Sequence, residues 1–171
     1  MPNFNPSTQA MIGHITGGMR VETSTLANAT YLLNGTQTEL FNVYGRILLL
    51  QLFIELVTAA SANATTLQFN CTFTTPTIAK NAMGAACASI SGLGQGQRIV
   101  HVGGAVATAA ILTDSAGLTD ITCVTPQIVG GYQFVGTVGV LGAAASQASG
   151  TFRAGMLYVP YSDGAYAEAA L

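Results

Sequence analysis

Catalysis and metal binding need titratable side chains that can meet, and this chain has few of them. Its only histidines are His14 and His101. His101 lies in the short β-branched run RIVHV (98–102), where a histidine hydrogen-bonded to a neighbour is the ordinary outcome and a general base the exception. No H-x-x-x-H or mixed Cys/His spacing occurs, so no metal site is expected. The carboxylates are dispersed. Only Asp114 and Asp120 share a loop, and DSAGLTD lacks the ligand alternation and closing glutamate of a calcium loop, so it reads as a hairpin connection. SGLGQGQ (91–97) has glycines spaced somewhat like a dinucleotide loop, but a strand follows it rather than a helix, which makes it a turn. Neither a G-x-S-x-G elbow nor a Walker sequence is present. Tryptophan is absent, which disfavours a sugar site built on indole stacking. Tyr158, Tyr161 and Tyr166 cluster near the C-terminus, as an interface patch or as a cap on the core. The expectation is a protein that is not an enzyme and takes no cofactor, no metal and no small-molecule substrate.

Charge narrows the partners. Charged residues are 7% of the chain, against about 25% in an ordinary soluble domain, so hydroxyls, amides, glycine and alanine must cover much of the exterior. Such a surface repels identical copies weakly and suits close packing of subunits. Arg20, Arg46, Lys80, Arg98 and Arg153 are scattered, whereas binding a phosphate backbone needs clustered positive charge; nucleic acid is not an expected partner. Cys71, Cys87 and Cys123 are odd in number and lack C-x-x-C spacing, as in a protein folded with reduced thiols in a cytoplasm. No basic-then-apolar leader opens the chain, and the four N-x-Ser/Thr sequons at Asn28, Asn34, Asn63 and Asn70 read as coincidence.

The elements that must position these residues are strands. In TTLQFNCTF, Leu67, Phe69, Cys71 and Phe73 alternate with polar residues, the period of a half-buried strand. RILLLQLFIELVTAA is too short and too polar, with Gln51 and Glu55, for the roughly twenty apolar residues of a membrane span. Read with period two, it puts Leu48, Leu50, Leu52, Ile54 and Leu56 on one apolar face of a long central strand. Further strand runs fall at 98–102, 119–125, 132–141 and 151–159, separated by glycine-rich turns. Residues 78–90, rich in Ala with Met and Lys, are the one place where a helical turn is expected. The fold class is therefore all-β: an antiparallel β-sandwich, jelly-roll-like, or a barrel. Residues 1–18 form an extended N-terminal arm and 19–171 a single β-domain. Gly and Pro leave the arm no regular element, so Phe4, Met11, Ile12 and Ile15 are candidate partner-binding residues that dock on a neighbouring subunit.

Two segments carry a resemblance. LFNVYGRILLLQLFIELVTAASANATTLQF resembles a pattern in small tailed-bacteriophage virion proteins: Phe-x-Val-x-Gly, an apolar strand, then a Val-Thr hairpin. QASGTFRAGMLYVPYSDGA resembles the closing hairpin of the same proteins, with Tyr158, Pro160, Gly164 and Ala165 matching its Tyr-x-Pro-x-x-x-Gly-Ala ending. Tyr44-Gly45-Arg46 departs from the pattern, which has two glycines before the strand. The resemblance implies a capsid decoration, or cement, protein, made in the host bacterial cytoplasm and located on the capsid surface of the virion. Its partners would be the major capsid protein and its own copies, as a homotrimer on the threefold sites of an icosahedral shell. The rival expectations are a receptor- or glycan-binding fibre or tip protein, or another minor head or tail subunit.

Overall fold

Alternating β-branched, aromatic and polar residues favour extended backbone, and a computed structural model of the chain is built almost wholly from it. The structure describes residues 18–75, 77–102, 110–112, 127–130 and 135–171. The candidate arm residues Phe4, Met11, Ile12 and Ile15, together with His14, Cys123, Asp114 and Asp120, lie outside the described residues. The strands are β1 (Met19–Glu22), β2 (Leu26–Ala27), β3 (Gln37–Tyr44), β4 (Ile47–Thr58), β5 (Thr66–Thr75), β6 (Thr77–Ala82), β7 (Arg98–Val100), β8 (Ile111–Leu112), β9 (Gln127–Val129), β10 (Val135–Ala143), β11 (Thr151–Pro160) and β12 (Tyr166–Ala169). One short helical turn, α1 (Asn28–Tyr31), follows β2.

The strands form two antiparallel sheets packed as a sandwich. One runs β1-β11-β4-β7-β8, with β2 also on β11 and β9 also on β4; the other runs β12-β3-β10-β5-β6. Neither sheet closes on itself, so the barrel alternative is not realised. The core lies between the inner faces. Ile47, Leu49, Leu52, Ile54, Phe152 and Met156 of the first sheet meet Phe41, Val43, Leu67, Phe69, Val138 and Val140 of the second. Tyr158 joins the sheets by a polar link: its buried hydroxyl accepts from the Ala167 amide at 3.0 Å and donates to the Ala167 carbonyl at 3.3 Å. Burial without those partners would leave the hydroxyl unsatisfied.

The long strand β4 departs from the strict period-two reading. Its register with β11 slips: Leu157 pairs with Gln51 and Tyr158 with Leu49, which leaves Leu50 as an extra residue. A one-residue bulge exchanges the two faces of a strand. Ile47 and Leu49 therefore point into the core on one side of the bulge, and Leu52, Ile54 and Leu56 on the other. Leu48 and Leu50, expected on the buried face, are only half-buried. The expected helical turn over 78–90 is also corrected. Thr77–Ala82 is a strand paired with β5, and beyond it Met83, Cys87 and Ile90 donate their amides to the carbonyls of Phe69, Leu67 and Thr65. Pairing with β5 overrides the weak helical preference of Ala, Met and Lys.

Gly45 turns the chain from β3 in one sheet to β4 in the other. Its φ of +72° is open to glycine, and a Cβ there would sit 3.0 Å from that of Ala165. At Gly155 the reason is space: a Cβ would meet the Phe53 ring at 2.3 Å. SGLGQGQ is a double turn with positive φ at Gly92 and Gly96, leading directly into β7.

Candidate functional site

Each sheet has an outward face, and the two differ in chemistry. On the five-stranded sheet, Phe41, Val43, Val138 and Ala167 point into the core, so their neighbours Asn42, Tyr44, Thr137, Tyr166 and Glu168 point out. The strand register arranges them in two rows: Tyr166, Tyr44 and Val135, then Glu168, Asn42, Thr137 and Thr72. The Tyr44 and Tyr166 rings stack with centroids 4.5 Å apart and planes 18° from parallel. The Tyr44 hydroxyl donates to Glu168 Oε1 at 3.1 Å, and Asn42 Nδ2 approaches the same oxygen at 3.5 Å. The hydrogen bond to Glu168, aided by desolvation and the carboxylate charge, raises the Tyr44 pKa above its usual value, so the phenol stays a donor at neutral pH. Further along this face Gln37 Nε2 donates to Thr72 Oγ1 at 3.1 Å.

The outward face of the seven-stranded sheet has a charged end and an apolar end. At the charged end Glu55 receives Arg98 Nε at 2.8 Å and an Arg153 guanidinium nitrogen at 2.9 Å. Burial pushes the Glu55 carboxyl up, but the hydrogen bonds and charges of the two arginines outweigh it and hold the group below the usual carboxylate range. Arg98 also lies over the Phe53 ring, 4.8 Å from its centroid, and Arg20, paired with Glu22, is 5.9 Å from the same ring. Three of the five basic residues, scattered in sequence, thus share one face, each paired with Glu22 or Glu55. At the apolar end Val159, Leu48 and Ile128 lie side by side across β11, β4 and β9. Ile128 is 54% exposed. Gly18, just before β1, rests beside Leu50 and Leu157.

His101 follows β7 and is buried, with Nε2 2.9 Å from Gln127 Oε1 and the Phe69 ring edge-on at 5.8 Å. Desolvation holds its pKa below the ordinary histidine value, against the Gln127 hydrogen bond, so the ring is neutral. Cys71 and Cys87 are free thiols whose pKa values burial raises. Of the three clustered tyrosines, Tyr158 belongs to the core, while Tyr161 and Tyr166 are exposed. Among the described residues no group of three His, Cys, Asp or Glu side chains converges, and no helix is long and apolar enough to cross a membrane. Sequence reading did not bring Tyr44, Asn42 and Glu168 together. Its one usable signal was their alternation with buried neighbours, because Tyr44 and Glu168 are 124 residues apart. Compared with protein-family models, with curated proteins and with solved structures, the chain matches none.

Proposed function

We propose that this chain is a structural protein of the virion, a decoration or cement subunit that binds the outside of a tailed-phage head and stabilises it. The observation that carries the reading is the apolar row Val159, Leu48 and Ile128 at one end of the seven-stranded sheet, with Ile128 exposed and the other two half-buried. Apolar side chains lined up on an otherwise polar exterior suit contact with another protein. Phe4, Met11, Ile12 and Ile15, in the stretch of sequence that precedes Gly18, would add apolar contacts to this row in an attachment surface on the major capsid protein or on a second copy. Low overall charge supports the same reading, since close-packed copies repel one another little.

The mechanism is mechanical. A stable contact needs about 1,000 Å² or more of buried surface, and a trimer attached at several points sums modest contacts into tight binding. Bridging neighbouring capsid subunits in this way opposes the outward pressure of packaged DNA. The test is copy number per particle, measured by quantitative mass spectrometry of purified virions. Hundreds of copies are expected. A handful would sink the cement reading and point to a fibre, tip or portal position.

A further inference from the structure

We propose that the stacked pair Tyr44 and Tyr166, with Glu168 and Asn42 beside it, is a binding platform for a neutral carbohydrate. It stands on the sheet opposite the apolar patch, so attachment through that patch would leave it facing solvent.

A pyranose presents an apolar C–H face and a rim of hydroxyls. It is held by an aromatic ring against the face and by fixed donors and acceptors at the rim. Both parts are present here. Tyr166 lies on β12, the edge of its sheet, with Tyr44 against one side of its ring and, among the described residues, no further strand of that sheet on the other; it is 43% exposed. In the adjacent row, Glu168 Oε1 is fixed by Tyr44 and Asn42, while Oε2 has no hydrogen bond among the described residues. A hydroxyl of the sugar can therefore donate to Oε2, and the neighbouring hydroxyl can accept from the Asn42 amide or donate to its carbonyl oxygen. Ring stacking and the Tyr44–Glu168 hydrogen bond hold these groups in place before a ligand arrives, which lowers the ordering cost of binding. The same carboxylate sets selectivity. Among the described residues Glu168 has no basic partner, and Glu39 stands exposed on the same strand as Asn42, so an acidic sugar would be repelled.

The experiment uses the full chain on an array of bacterial cell-surface glycan fragments, neutral and acidic, followed by calorimetric titration of the best neutral oligosaccharide. Binding to neutral glycans is expected, weakened at least tenfold by Tyr166→Ala and by Glu168→Gln, and unchanged by Ile128→Ala on the opposite sheet. Glu168→Gln keeps the shape of the site, so it remains informative even if Tyr166→Ala perturbs folding. The platform is overturned if no neutral glycan binds, if acidic glycans bind as well, or if both platform variants bind like the parent. None of these results alters the copy number on virions, so the attachment reading stands or falls separately.

Discussion

Leu50 and Leu52 sit two positions apart in one apolar run, yet truncation should separate them. Leu52 is fully buried in the core, and Leu52→Ala should cost about 2–5 kcal/mol. Leu50 lies at the bulge, half-buried under Gly18, and Leu50→Ala should cost about 1 kcal/mol. Urea unfolding of the two variants decides it; equal losses would mean that β4 has no bulge. His101 gives a pH test. Its folded pKa is depressed by burial, so between that value and the ordinary one of about 6.5 the unfolded chain binds more protons. The stability that the neutral ring contributes is complete above the ordinary value and is lost as pH falls through the folded one. The slope from this group cannot exceed about 1.4 kcal/mol per pH unit. Denaturation midpoints measured from about pH 7.5 down to pH 5 should fall for the parent and flatten for His101→Gln.

Between elements, polar side chains do work that strand pairing cannot. Gln147 precedes β11 in a loop, and its buried amide is fully used. Oε1 accepts from the Ser61 amide and hydroxyl, both at 2.9 Å, and Nε2 donates to the Asn63 carbonyl at 2.9 Å and to Thr65 Oγ1 at 2.8 Å. The loop before β11 is thereby clamped to the loop between β4 and β5. Gln147→Ala would strand the buried Thr65 hydroxyl and the half-buried Ser61 and should cost about 2–4 kcal/mol, since each unmet buried group costs about 1–3 kcal/mol. Gln147→Glu should not rescue it, because a carboxylate cannot donate to Asn63 or Thr65. Loss of hydrogen-exchange protection at the Ser61 amide, with the β10 ladder still protected, is the expected signature.

For the whole molecule, the attachment reading ties the apolar end of the seven-stranded sheet to the segment preceding β1. Pairing of β1 with β11 begins at Met19, so removing residues 1–17 should leave the sandwich folded, with a strand-type far-UV spectrum. The full-length 17.5 kDa chain should be oligomeric by light scattering at micromolar concentration, and both the truncation and Ile128→Asp should weaken that association. On heads stripped of the native protein, the same two variants should show lower occupancy and less resistance to heating. Parent-like behaviour of both would remove the patch and the arm from the attachment surface together.

The sequence by itself determined the all-β class and most of the longer strands, because a strand's period of two is written in adjacent residues: Leu67, Phe69 and Phe73 of β5 are buried as the alternation requires. It could not determine facing or partnership. A single extra residue at Leu50 exchanges the faces of β4, and nothing in the run ILLLQLFIELVT marks where that residue falls. Thr77–Ala82 is a strand only because β5 offers it an edge. Asn70, alternating as a surface residue, is fully buried. The Tyr44, Asn42, Tyr166 and Glu168 cluster needs β12 to return beside β3 from the far end of the chain. Local patterning is a property of neighbours in sequence, while register, bulges and converging side chains depend on strand pairs that only the folded sheets bring together.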